Sequence, residues 1–254
     1  MAMSLAEIRL KQNPILTSLL LGMGQGALIA EKLFPRLPQV LSSANLAQLG
    51  DERLRRYNLR RAPGAPTKRV HIKYEGKTYS VEQYAVEVPI PREFIREADE
   101  SRKLNVGNYL EISRIAMVTS KDILDLDYEI EVATMATTSG TYAAGHVLAL
   151  AGGTKWSADT GTPVTDIDAA KDVIRKKIGK RPNKITLSAD AYTAMRNNKQ
   201  VLGRLPSTFT GTPGINELKT ILEIEEIVVG DAVWIDETDT GRDVWGNNAV
   251  LAYV

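Results

Sequence analysis

The sequence predicts a mixed α+β fold with an extended limb, and three patterns carry that expectation. Residues 70–74 alternate apolar and polar side chains with the period of a strand. Residues 106–138 repeat apolar positions at spacings of three and four, the period of one long amphipathic helix. After Gly152-Gly153, short helical and strand patterns are interleaved. Periods of two and 3.6 in separate blocks, rather than in regular alternation, belong to the α+β class.

Composition narrows the functions open to this chain. Its 254 residues are 43% hydrophobic and 25% charged, enough for a sizeable core. Thirty-two basic side chains against 31 acidic ones give a net charge of +1, so no global field selects a nucleic acid or a membrane. The absence of cysteine excludes disulfides, thiolate zinc sites, iron–sulfur clusters and a cysteine nucleophile. The two histidines, His71 and His146, share no metal-ligand spacing. No cofactor is expected and no enzymatic role is indicated.

At the N-terminus, Leu16 to Ala30 is apolar but interrupted by Gly22, Gly24, Gln25 and Gly26. It is shorter than the roughly 20 residues that span a bilayer. Gly22 to Gly26 lacks G-x-G-x-x-G spacing, so it reads as a hinge in an arm rather than a phosphate loop. Pro35, Pro38 and Pro63-Gly64-Ala65-Pro66 keep this quarter extended. Between them, Ser43 to Leu59 has helical composition with weak periodicity.

Val70, Ile72 and Tyr74 then form a strand pattern. Glu75-Gly76-Lys77 is expected to turn the chain, with Tyr79, Val81, Tyr84, Val86 and Val88 returning as the second strand of a long hairpin. Pro89-Ile90-Pro91 ends it. Asn105 is placed to cap a helix from about Val106 to Thr138, whose apolar stripe runs Ile112, Ile115, Thr119, Ile123, Leu126, Ile130, Ala133 and Thr137. Ser139-Gly140 stops it. Asp122, Asp125, Asp127, Glu129 and Glu131 are expected on its outer, acidic face.

Beyond Gly153, Thr165-Asp166 opens a helix over 167–178 that Gly179 ends. A buried strand over 185–187 follows, then a helix over 189–198 capped by Ser188. Residues 205–214 form a loop and 217–222 a short helix. Strands are expected at 225–229, 232–236 and 249–254.

Charge is segregated although it balances. Asp51 to Lys77 carries nine basic and three acidic side chains, and Glu82 to Glu131 six basic and twelve acidic. Lys171 to Arg204 holds ten basic and two acidic residues, Glu217 to Asp243 nine acidic and two basic. Asp236, Glu237, Asp239 and Asp243 lack the spacing of an EF-hand and read as a solvated turn. Ser188 and Asp190 follow a strand but lack G-x-S-x-G, which disfavours a hydrolase. Trp156, Trp234 and Trp245 are expected in the core or in subunit contacts.

The order of these elements resembles the HK97-type major capsid proteins of tailed bacteriophages. Tyr84-Ala85-Val86-Glu87-Val88-Pro89-Ile90 with Ala98-Asp99 is similar to the exit of that family's hairpin, the E-loop. Asp122-Ile123-Leu124-Asp125-Leu126-Asp127-Tyr128-Glu129-Ile130 is similar to the middle of its spine helix. Trp156-Ser157-Ala158-Asp159, Asp166-Ile167 and Arg181-Pro182-Asn183-Lys184-Ile185-Thr186-Leu187-Ser188 resemble the opening of its axial (A) domain. The resemblance implies an N-terminal arm over 1–56, an E-loop hairpin over 57–92, a P-domain with the spine helix over 93–150 and an α/β A-domain over 151–254. The family's last P-domain strands are expected beyond Val254 and are absent from the sequence.

It further implies pentamers and hexamers of the chain itself, forming an icosahedral shell around packaged double-stranded DNA, with scaffold, portal and decoration proteins as further partners, in the virion after assembly in the host cytoplasm. No membrane partner is implied. In such a shell the hairpin residues Arg69, His71, Lys73, Tyr74, Lys77 and Tyr79 would meet a neighbour's spine residues Asp122, Asp125, Asp127 and Glu129 head to tail. The basic stretch 171–204 would face acidic neighbours, or DNA on the inner surface. Lys68, Lys73 and Lys77 sit where some relatives cross-link, but no acceptor is identifiable and none is assigned. An encapsulin-like shell holding cargo enzymes is the alternative with the same fold.

Overall fold

The structure, a computed structural model, describes residues 28–38, 41–103, 112–206, 209 and 211–254. The expected glycine hinge and the Asn105 cap lie outside the described residues.

The chain first docks a single helical turn, α1 (Ala30–Leu33), and then builds a two-stranded ribbon. Strand β1 (Ser43–Leu49) pairs antiparallel with β2 (Tyr74–Ser80), with Ser43 opposite Ser80 and Leu49 opposite Tyr74. This corrects the hairpin expected from the sequence. Glu75-Gly76-Lys77 is not a turn but lies inside β2, opposite Gln48, Ala47 and Leu46. The segment of helical composition supplies the partner strand, because cross-strand pairing overrides the weak helical preference of its alanine and leucine residues. Residues 50–73 connect the strands, beginning with a 3₁₀ turn (Asp51–Leu54). Residues 81–91 run on without strand pairing.

Two helices follow. In α2 (Arg92–Lys103), absent from the sequence expectation, Phe94 N–H donates to the Pro91 carbonyl at 3.0 Å, so the proline that ends the extended run also starts the helix. The described long helix, α3 (Ile112–Thr137), has 26 residues and is about 39 Å long. Its last turns are rich in threonine, a poor helix former. The Thr134, Thr137 and Thr138 hydroxyls donate to carbonyls four residues earlier at 2.7, 2.8 and 2.6 Å, which keeps them satisfied as the helix ends.

The C-terminal part folds around a three-stranded sheet in the order β4-β3-β7. Central β3 (Lys184–Ser188) is buried at every position, parallel to β4 (Glu226–Gly230) and antiparallel to β7 (Ala249–Ala252). Helix α4 (Pro163–Ile178) starts on a proline and ends at Gly179, whose φ of 74° suits glycine. Ser188 caps α5 (Ala189–Asn197) by accepting the Ala191 N–H at 3.2 Å. Asn198 caps α6 (Lys199–Leu202). Before α7 (Ile215–Leu222), the Glu217 carboxylate takes the Gly214 N–H at 2.9 Å. A small hairpin, β5 (Val233–Ile235) and β6 (Gly241–Asp243), projects between β4 and β7.

Alternate residues of the sheet feed two cores. On one face Ile185, Leu187 and Ile227 pack with Val164, Ile167, Met195, Leu218 and Leu222 from the helices. On the other, Val228 joins Trp245, Val132, Ala133 and Ala136 of α3, and Ile29, Ala30 and Leu33 of the docked arm. The long helix therefore packs on the back of the sheet together with the docked arm.

Candidate functional site

The acidic face of α3 divides into three kinds of carboxylate. Asp122 and Asp127 are exposed. Asp125 is occupied within the protomer by Lys121 and by Arg36, the latter at 3.8 Å. Arg36 also pairs with Glu31 at 2.8 Å and lies over the Tyr128 ring at 4.5 Å. The hydrogen bond to Asp125 and that carboxylate's charge hold the Lys121 pKa above its ordinary value. Glu129 is wholly buried, which removes it from the expected outer face. Its Oε1 accepts the Trp245 indole N–H at 2.7 Å, and its two oxygens accept the Ile29 and Ala30 N–H groups at 2.8–3.1 Å. Helical periodicity places Glu129 one turn from Asp125, but not against the arm that covers it. That contact spans a hundred residues.

Of the hairpin residues expected to meet a neighbour, Tyr74, Lys77 and Tyr79 lie on β2, while Arg69, His71 and Lys73 lie in the connection just before it. Arg69, His71, Lys73, Tyr74 and Lys77 are exposed, and Tyr79 is half-buried with its hydroxyl donating to the Leu41 carbonyl at 3.3 Å. Apolar side chains are exposed among them, with Tyr74 at 65% and Ile72 at 57%. Among the described residues, no ion pair joins Arg69, Lys73 or Lys77 to the long helix of the same protomer. Among the described residues, the ribbon and its flanks touch their own body at entry, exit and far end. At its entry, Phe34 accepts the Tyr128 hydroxyl at 3.3 Å. At its exit, Tyr84 donates to Glu131 at 3.3 Å, and the Glu131 charge raises the Tyr84 pKa. At its far end, Asp51 meets Lys177 at 3.5 Å, and Leu54 lies beside Gly179.

The other candidate residues resolve into structural roles. Asp236 is the centre of the β5–β6 turn. One oxygen accepts from the Thr238 hydroxyl (2.6 Å), Thr238 N–H (2.9 Å) and Thr240 N–H (3.1 Å), the other from Arg242 Nε (2.6 Å). The Thr238 hydroxyl, followed by Thr240 and Arg242, lowers its pKa to about 2. Among the described residues, no group of three side chains is arranged to hold a metal ion. The buried Ser188 hydroxyl caps a helix. Trp156 packs on the helical core and donates to Asp166 at 2.9 Å, Trp245 fills the opposite core, and Trp234 stands on the projecting hairpin.

A half-open cleft of about 1050 Å³ runs between residues 145–150, α4, α5 and β7. Of its three acidic residues, Asp166 holds Trp156 and Asp159 pairs with Lys199 at 2.5 Å, while Asp190 stands in the first turn of α5. The prominent features of the protomer are thus a ribbon exposed along most of its length, an acidic helix face and a buried carboxylate joining distant segments.

No family model matches the chain. It is 31% identical over 243 residues to the major capsid protein of Burkholderia phage BcepMu, a match that covers 95% of this chain and 76% of that protein. It is 24% identical to the major capsid protein of Pseudomonas phage JBD67, over 87% of this chain and 68% of the other. Its fold is similar to the crystal structure of a phage-related protein from Bordetella bronchiseptica RB50, with a TM-score of 0.69 and 36% identity over 95% of this chain and 77% of that one. With this level of identity sustained along nearly its whole length, the chain belongs to the major capsid proteins of phages.

Proposed function

We propose that many copies of this chain assemble through pentamers and hexamers into an icosahedral head of HK97 type that encloses double-stranded DNA. The observation that carries this reading is the ribbon. A two-stranded ribbon is marginal on its own in water, yet here it exposes a series of apolar and basic side chains. Such a surface is stabilised by lying on a neighbour. Asp122 and Asp127, exposed on α3, supply charges complementary to Arg69, Lys73 and Lys77 in a head-to-tail contact.

In this reading residues 43–91 act as the E-loop and α3 as the spine helix, with the α/β part from 151 as the A-domain and the segment before the ribbon as the arm. Arg175, Lys176, Lys180 and Arg181 face acidic neighbours or DNA, while scaffold, portal and decoration proteins act on the assembled surface. The shell is part of the virion and forms in the host cytoplasm. Among the described residues, no helix is long and apolar enough to cross a membrane.

Negative-stain electron microscopy after size-exclusion chromatography tests the proposal, beside a variant whose residues 43–80 are replaced by a short Gly-Ser linker. Shells, tubes or five- and six-fold rings from the intact chain, and a folded protomer without them from the variant, are expected. Assembly by the ribbonless variant would overturn the clasp. Nuclease-protected DNA inside purified particles distinguishes a genome container from an enzyme-filled shell.

A further inference from the structure

Glu129 is a buried carboxylate that the intersubunit contact does not use. It joins segments far apart in sequence: the docked arm, the long helix and the residue that packs behind the sheet. Every partner is an N–H donor, namely Ile29 and Ala30 of the backbone and the Trp245 indole. The site is therefore built for an acceptor-only carboxylate. Trp245 is itself wedged in place, since a Cβ added at Gly230 would lie 2.4 Å from its ring. The indole cannot retreat without disturbing β4.

In sequence, the chain after this anchor continues into the ribbon. Residues 29–33 are held at Glu129 and its apolar surroundings, Phe34 and Arg36 follow against Tyr128 and Asp125, and β1 begins at Ser43. The chain leaving the ribbon returns to the same place, with Tyr84 on Glu131. Both roots of the ribbon are thus fastened within two residues of each other on α3. The return contact is exposed, and so is the Asp51–Lys177 pair at the far end. Exposed contacts of this kind hold little. The fastening at Glu129 is buried and multiply hydrogen-bonded, so its loss leaves donors unpaired.

We infer that Glu129 is a latch: its carboxylate pins the arm to α3 and Trp245, and so sets the direction in which the ribbon leaves the body. With the latch open, residues 29–36 undock as a local unit and the ribbon swings, while the sheet and its helices remain folded. The device is a property of the protomer, and its existence does not depend on the shell reading.

The test is made on unassembled protomers isolated by size exclusion, comparing the native chain with Glu129→Gln. The amide puts a donor where the carboxylate had only acceptors. Hydrogen exchange in 28–38 and 41–49 is expected to accelerate at least tenfold, with 184–188 and 226–230 changed less than twofold. Because the chain has no cysteine, spin labels at Lys77→Cys and Lys176→Cys report the ribbon's direction, and their distance distribution is expected to broaden or shift in Glu129→Gln. Uniformly faster exchange would reduce Glu129 to a general stabiliser, and an unchanged distance distribution would overturn the latch. If Glu129→Gln does not fold, Trp245→Phe removes one donor and leaves the two backbone donors, Ile29 and Ala30. It is then expected to open the arm to a smaller degree, and no selective opening in it would also overturn the latch. Failure of the native chain to form shells would bear on the proposed function alone.

Discussion

Two single residues show how local geometry becomes measurable behaviour. A methyl group at Gly230 would lie 2.4 Å from Cδ1 and 2.7 Å from Cγ of the Trp245 indole. Gly230→Ala is therefore expected to cost about 1–3 kcal/mol by overpacking, read as a lower denaturation midpoint with altered tryptophan emission. Asp236 gives a pH prediction. Its folded pKa of about 2 lies below the ordinary 3.8 because the turn's donors stabilise the charged form. Its contribution to the turn is present above the unfolded value and is lost as pH falls through about 2. The Thr238 and Thr240 amide resonances should titrate together near that pH, and a midpoint at the ordinary value would contradict the hydrogen-bonded turn. Glu129 is the residue that sequence reasoning misplaced. Periodicity identifies which residues share a helix face, but not which segment a hundred residues away covers one of them.

Among the elements, much of the C-terminal half was readable from local signals: Gly179 ends α4 and Ser188 caps α5. The start of α4 was read at Thr165-Asp166 but lies at Pro163, and α6 and β6 were missed. The ribbon was not readable in this way, since a strand's partner is set by pairing across a long connection rather than by adjacent residues. The alternation at 70–74 pointed to a strand that the structure begins only at Tyr74 and carries to Ser80, its mate at 43–49 was concealed by helix-forming residues, and α2 was missed altogether. The observed register can be tested directly. Hydrogen bonds from Gly50 N–H to the Lys73 carbonyl and from Val81 N–H to the Ser42 carbonyl mark both ends of the ladder. Asn45 and Thr78 then face each other at a non-hydrogen-bonded pair, with Cα atoms about 4.5 Å apart, within reach of a disulfide. Asn45→Cys with Thr78→Cys should oxidise to an intramolecular disulfide, seen by non-reducing mass spectrometry. A hairpin turning at 75–77 would leave both thiols free.

At the scale of the molecule, segregated charge predicts an effect on association and not on folding. Asp122→Lys with Asp127→Lys changes two exposed side chains, so protomer stability should move by no more than about 0.5 kcal/mol. Assembly should weaken by ~0–1 kcal/mol for each lost pair and recover in part when Arg69 and Lys73 become glutamate. Light scattering across protein concentrations would measure both, and no rescue would mean that these charges do not face each other in the shell. Asp125 is left out because it is already paired within the protomer.

The span of the Glu129 contacts also orders events in time. Its partners stand 100 residues before it and 116 residues after it in the chain. At the usual synthesis rate of about 5–20 residues per second, Trp245 emerges roughly 6–23 seconds after Glu129. Throughout that interval a nascent chain has its ribbon sequence complete but the ribbon's root unfinished. The ribbon therefore gains its final direction only once translation has passed Trp245, and in the proposed shell partial chains on one polysome are poorly prepared to clasp each other prematurely.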